Sequence, residues 1–151
     1  MSSHGLVNVA VAAVVLVWLV SRQLSTRPLR EKSRVGLVLI VVGAVETVSF
    51  TAKHPLHGGE VGIAALSLAL GVALAAARGF TVTVWREGTE YFRKGNLVTA
   101  ALWIAGIGLH LLLDDLAGSG LGPASILLYV GVVLAVQNAV LTSRSRTAVA
   151  R

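Results

Sequence analysis

The sequence predicts an all-α transmembrane protein. Residues 1–151 form one membrane domain of five helices, N-terminus outside and C-terminus cytoplasmic, with a short cytoplasmic interfacial β-hairpin at about 80–93. Three observations predict this. Five apolar runs, at about 5–21, 35–52, 61–77, 97–113 and 121–141, each approach the 17–25 residues that a spanning helix needs. Only 13% of residues are charged and the mean hydropathy is +0.79, whereas a soluble domain carries about 25% charge. Every Lys and Arg except Lys53 lies in one of three basic segments (22–34, 78–94 and 144–151) that alternate with the apolar runs. Short basic loops stay cytoplasmic, which sets the orientation.

The first run has no basic residue before it and no small-residue cleavage pattern before Arg22, so it reads as a retained helix entering from outside. Pro28 then marks a turn in the first inner loop. The second run is rich in Val and Ile; in lipid, only helices and closed barrels satisfy the backbone, and runs this long fit helices. A short outer loop, Lys53-His54-Pro55-Leu56-His57-Gly58-Gly59-Glu60, leads into the third. There Ser67, Gly71, Ala75 and Gly79 recur every four residues, a ridge that lets another helix approach closely. Gly131, Ala135 and Ala139 repeat that step in the fifth run, which starts near Pro123. Between the third and fourth runs, Phe80 to Arg86 and Thr89 to Arg93 alternate apolar and polar side chains around Glu87-Gly88. That pattern predicts a hairpin, with an interfacial amphipathic helix as the rival, and Trp85, Tyr91 and Phe92 as headgroup-depth anchors.

The net charge of +6 and pI near 10.8 would suit nucleic acid on a soluble surface. At a membrane edge the same cations meet anionic lipid, so lipids and no nucleic acid are expected as partners. Cysteine is absent, which removes disulfides, thiolate metal sites and thiol redox chemistry. Nucleophilic triads, phosphate loops and dinucleotide fingerprints are missing, and no cofactor is expected.

The polar residues sort by side. All four histidines and the acids Glu46, Glu60, Asp114 and Asp115 fall toward the outside, while the inner half offers little beyond Gln137 and Asn138. Glu46 lies within the second run, where an ionised carboxylate is costly and normally turns to the bundle interior. It is expected to be neutral, paired or ligand-bound, or else to be bundle glue bonded to Ser49. In the fourth run Thr99, Trp103, Gly106, His110 and Asp114 share a face, so Asp114 could orient the His110 imidazole. Glu46 and His110 reach similar depths, about 16 and 20 Å from the inner ends of their helices, and would meet if those helices touch. Glu60, Ala64 and Ser67 line one face of the third run, and His4 and Asn8 sit one turn apart in the first. A zinc site from His110, Asp114, Glu46 and a loop histidine is chemically possible, yet no HxxxH or ExxH pair occurs, so no metal is expected.

The stretch Arg78-Gly79-Phe80-Thr81-Val82-Thr83-Val84-Trp85-Arg86-Glu87-Gly88, with Arg93-Lys94-Gly95 and Leu97 to Trp103, resembles the CcdC-like group of small multi-pass proteins from high-GC Gram-positive bacteria. The likeness covers about a third of the chain, and His110 stands where such proteins often carry arginine. It implies membrane residence and a loose link to cytochrome c biogenesis.

Three functions follow from these readings. The first is an accessory, assembly or small permease-type subunit that associates, as a homo-oligomer or with a protein partner, through the small-residue ridges. The second is a membrane-embedded cyclase, isomerase or hydrolase acting on a lipophilic small molecule. There Glu46 is the acid, His110 with Asp114 the base, and Trp103, Ser49, Asn8 and Ser67 line the pocket. Proton-coupled transport ranks last, for want of polar residues in the inner half.

Overall fold

A computed structural model describes the backbone of residues 3–30 and 34–149, with side chains defined for 10, 13, 14, 16–30 and 34–148. The chain runs α1 (Ser3–Leu24), β1 (Arg27–Pro28), α2 (Arg34–Lys53), α3 (Gly58–Thr81), β2 (Thr83–Glu87), β3 (Glu90–Lys94), α4 (Leu97–Ala117) and α5 (Leu121–Val149). Four of the helices, α2 to α5, are long and apolar enough to cross a membrane. At 20–29 residues they extend about 30–43 Å, enough for a hydrocarbon core of about 30 Å. The 22-residue α1 carries the first apolar run. The architecture is that of a small polytopic membrane protein.

Helix ends follow from local chemistry. Asn96 caps α4 by accepting from the Thr99 amide at 3.0 Å, while the Thr99 hydroxyl accepts from the Asn96 amide at 3.1 Å. This reciprocal pair satisfies two amides that a helix start leaves open. Gly118 closes α4 in the left-handed region (φ 68°), where a side chain would be strained. At the start of α3, the Glu60 carboxylate accepts from the His57 amide at 2.7 Å.

The hairpin is present, from 83 to 94, turning at Gly88 (φ 62°). The sheet has a third strand that the sequence reading took for loop: β1 pairs antiparallel with β3, in the order β1-β3-β2. Pro28 sits in this edge strand, where its missing amide costs no ladder bond.

Helix α5 is the hub. It packs on both α2 and α3; α3 also packs on α4, and α1 lies against α4. The core consists of Leu19, Ala75, Trp103, Tyr129, Val130 and Val133. The small-residue ridges serve this packing inside the chain. A Cβ on Gly71 would stand 2.4 Å from the Tyr129 ring, and one on Gly79 2.5 Å from Val140. A Cβ on Gly43 of α2 would stand 2.0 Å from the Leu128 backbone nitrogen, so α2 and α5 touch backbone to backbone there. The ridge that the sequence offered to a partner helix is therefore taken up by α5.

Candidate functional site

The buried faces of α3, α4 and α5 enclose a column of polar side chains. Ser67 on α3, His110 on α4 and Ser125 on α5 meet at the end away from the sheet, all buried. The His110 Nε2 lies 3.3 Å from the Gly122 carbonyl oxygen and from the Ser125 hydroxyl. A carbonyl only accepts, so Nε2 carries a proton, and Nδ1 shares a hydrogen bond of 2.8 Å with the Ser67 hydroxyl, accepting it when the ring is neutral. Both ring nitrogens are engaged. Tyr129 stacks on it at 4.3 Å between ring centroids and donates to the Gly106 carbonyl at 2.9 Å.

A small, partly open pocket adjoins His110, lined by Glu60, Ser67, His110, Asp114, Ser119 and Ser125 among others. Its volume is about 20 Å³, close to what a single water occupies. Asp114 lines it but does not orient the imidazole as expected. Its carboxylate accepts from the Ser119 hydroxyl instead, and the imidazole's hydrogen-bond partners are Ser67, Gly122 and Ser125.

One turn further toward the sheet lies Arg78, 1% exposed, its guanidinium 4.1 Å above the Trp103 ring. Its Nη1 donates to the Leu102 carbonyl at 3.3 Å, while Nε and Nη2 have no partner among the described residues. The sequence reading placed Arg78 in the basic loop. Helix α3 instead continues to Thr81, and helical side chains lean toward the N-terminus, so Arg78 reaches back into the bundle. Below it Thr81 and Thr99 share a hydrogen bond of 2.8 Å, and Gln137 donates to Gln23 of α1 at 3.1 Å. The sheet-side half of the bundle, where the sequence offered little beyond Gln137 and Asn138, is thus not bare: Arg78, Thr99, Gln23 and Gln137 are all buried there. In the sheet, burial and the nearby charges of Arg22 and Arg27 pull the Arg93 pKa below its ordinary value.

The structure brings together Ser67, His110 and Asp114 of the expected site. It does not bring Glu46. That residue and Ser49 lie on the exposed surface of α2, which packs on α5, and the expected meeting of Glu46 with His110 does not form. Trp103 is wholly buried under Arg78 and lines no part of the His110 pocket. The side chains of His4 and Asn8 lie outside the described residues. Among the described residues no group of three or more His, Asp and Glu side chains is placed to hold a metal ion.

Sequence reasoning missed Arg78, Ser125 and Tyr129. A signal was there: Ser125, Tyr129, Val133, Gln137 and Leu141 recur every four residues, and all five are buried. Comparison with family models, curated proteins and solved structures finds no match to this chain.

Proposed function

We propose that this chain is an accessory or assembly subunit, or a small permease-type component, of a plasma membrane. Its N-terminus is outside and its basic sheet end cytoplasmic. One observation carries the non-catalytic reading. The pocket that holds His110 and Asp114, the pair expected to act as base, is a slot of about 20 Å³, and both imidazole nitrogens are already engaged. A lipophilic substrate needs a cavity of several hundred Å³. Glu46, the expected acid, faces outward on α2. The CcdC-like resemblance of residues 78–103 agrees with an assembly role around cytochrome c.

The test is complementation. In a strain lacking the chain, a Glu46→Gln, Asp114→Asn, His110→Asn triple variant present at parental level in the membrane is expected to restore growth fully. Loss of rescue with the protein still present overturns the reading. Orientation is checked with single cysteines at Gly59 and Gly88, which report cleanly because the chain has none of its own. An impermeant maleimide on intact cells is expected to label the first and spare the second.

A second reading has one observation in its favour. Ser67 and His110 stand at 2.8 Å with the geometry of a nucleophile and its base. A hydrolase acting on a lipophilic ester would use that pair, with Asp114 in the same pocket. Covalent labelling of Ser67 by a fluorophosphonate, abolished in Ser67→Ala, would establish it in place of the first.

A further inference from the structure

Two grooves meet at the sheet end. The larger, about 570 Å³, runs between the end of α3 and α5, lined by Phe80, Ala139, Val140, Ser143, Arg144 and Thr147. The smaller, about 430 Å³, is lined by Trp85, Arg86 and Tyr91 of the hairpin and again by Arg144. Their polarity is graded along α5. Ala139 and Val140 lie toward the middle of the bundle, and the hydroxyls of Ser143 and Thr147 lie with Arg144 at its edge. Arg144 is held in place: its Nη1 donates to the Gly79 carbonyl and, at 2.8 Å, to the Val82 carbonyl. Its Nε and Nη2 have no hydrogen-bond partner among the described residues, and the Phe80 ring stands 5.9 Å away. A fixed guanidinium with free donors is a ready anion receptor. Trp85 and Tyr91 beside it are residues that settle at headgroup depth.

We infer that this double groove seats one anionic phospholipid. Its phosphate rests on Arg144 with Ser143 and Thr147, its outer headgroup lies toward Arg86 and Tyr91, and one acyl chain lies along Phe80, Ala139 and Val140. The observations favour a lipid over a free phosphate because the anion site opens into an apolar channel on the bundle side, which a free ion would leave empty. The inference rests on the bilayer being this protein's solvent and is independent of the assembly role.

The test uses the full chain purified in detergent, with melting temperature and native mass spectrometry as readouts. Dioleoyl phosphatidylglycerol is expected to raise the melting temperature and to bind at least about tenfold more tightly than dioleoyl phosphatidylcholine. Arg144→Gln is expected to remove most of that preference. Because Arg144 also holds two carbonyls, two further variants that leave those bonds intact complete the test. Ala139→Phe fills the acyl channel and is expected to weaken phosphatidylglycerol binding about tenfold, and Arg86→Gln to weaken it less. Equal binding of the two lipids, or undiminished phosphatidylglycerol binding by Ala139→Phe, overturns the inference. So does inorganic phosphate alone reproducing the full thermal shift.

Discussion

Helices α2 and α4 are closely matched as strings of residues. They hold 20 and 21 residues, both are apolar enough to cross a membrane, and each carries an ionisable side chain inside its apolar run. Yet Glu46 of α2 lies on the outer surface and His110 of α4 is enclosed. The difference is in their neighbours. Around His110, α3 and α5 supply two hydroxyls, a carbonyl and a stacked ring. Helix α2 meets chiefly α5, and at Gly43 and Gly131 the two backbones come so close that even a Cβ would clash. An inward polar group needs a shell of partners from several directions, and only α4 has one.

That contrast can be broken hardest at Gly43. Gly43→Val would drive a branched side chain into the Leu128 backbone, which cannot step aside as a side chain can. A loss of about 3 kcal/mol or more is expected in denaturant unfolding from micelles, beyond the usual overpacking range. Gly62, with open space where its Cβ would go, is the control. Gly62→Ala is expected to stabilise slightly, by up to about 1 kcal/mol, through helix propensity alone.

On the α4 side the expected effect is smaller. Ser67→Ala removes the donor to His110 Nδ1 and leaves a buried acceptor empty, at a cost of about 1–3 kcal/mol. Tyr129→Phe removes one buried hydrogen bond to Gly106 while keeping the stack on His110, and about 1 kcal/mol is expected. Glu46→Gln should change the stability of the isolated chain least, by under about 0.5 kcal/mol, as surface substitutions do. A cost near that of Ser67→Ala would mean that Glu46 has an inward partner, and the contrast between the helices would collapse.

Much of the fold was legible. The length and apolarity of the runs named the helices, the period-two alternation named the hairpin, and the stride Thr99, Trp103, Gly106, His110 named the buried face of α4. The site was legible only in part, because hydropathy says that a segment is apolar without saying which neighbour it meets. Glu46 was judged by the cost of a charge in lipid, and that argument presumes an interior for it to face. Arg78 was hidden by the opposite habit, in which a cation next to an apolar run is counted as loop. The four-residue stride from Ser67 through Gly71 and Ala75 reaches Gly79 and so brackets Arg78, and following it would have carried the helix on to Thr81. Strand β1 left no pattern to find, since two residues cannot show a period.

The two-residue strand has a mechanical meaning all the same. By bonding to β3, with the Leu29 amide reaching the Tyr91 carbonyl at 2.7 Å, it stitches the α1–α2 connection to the α3–α4 connection. The two connections are thereby tied edge to edge. At the far rim the α4–α5 connection has no such stitch and turns through Gly118 and Gly120, both at φ 68°. The molecule is built like a clasp, sewn at the basic rim and folded over two glycines at the other.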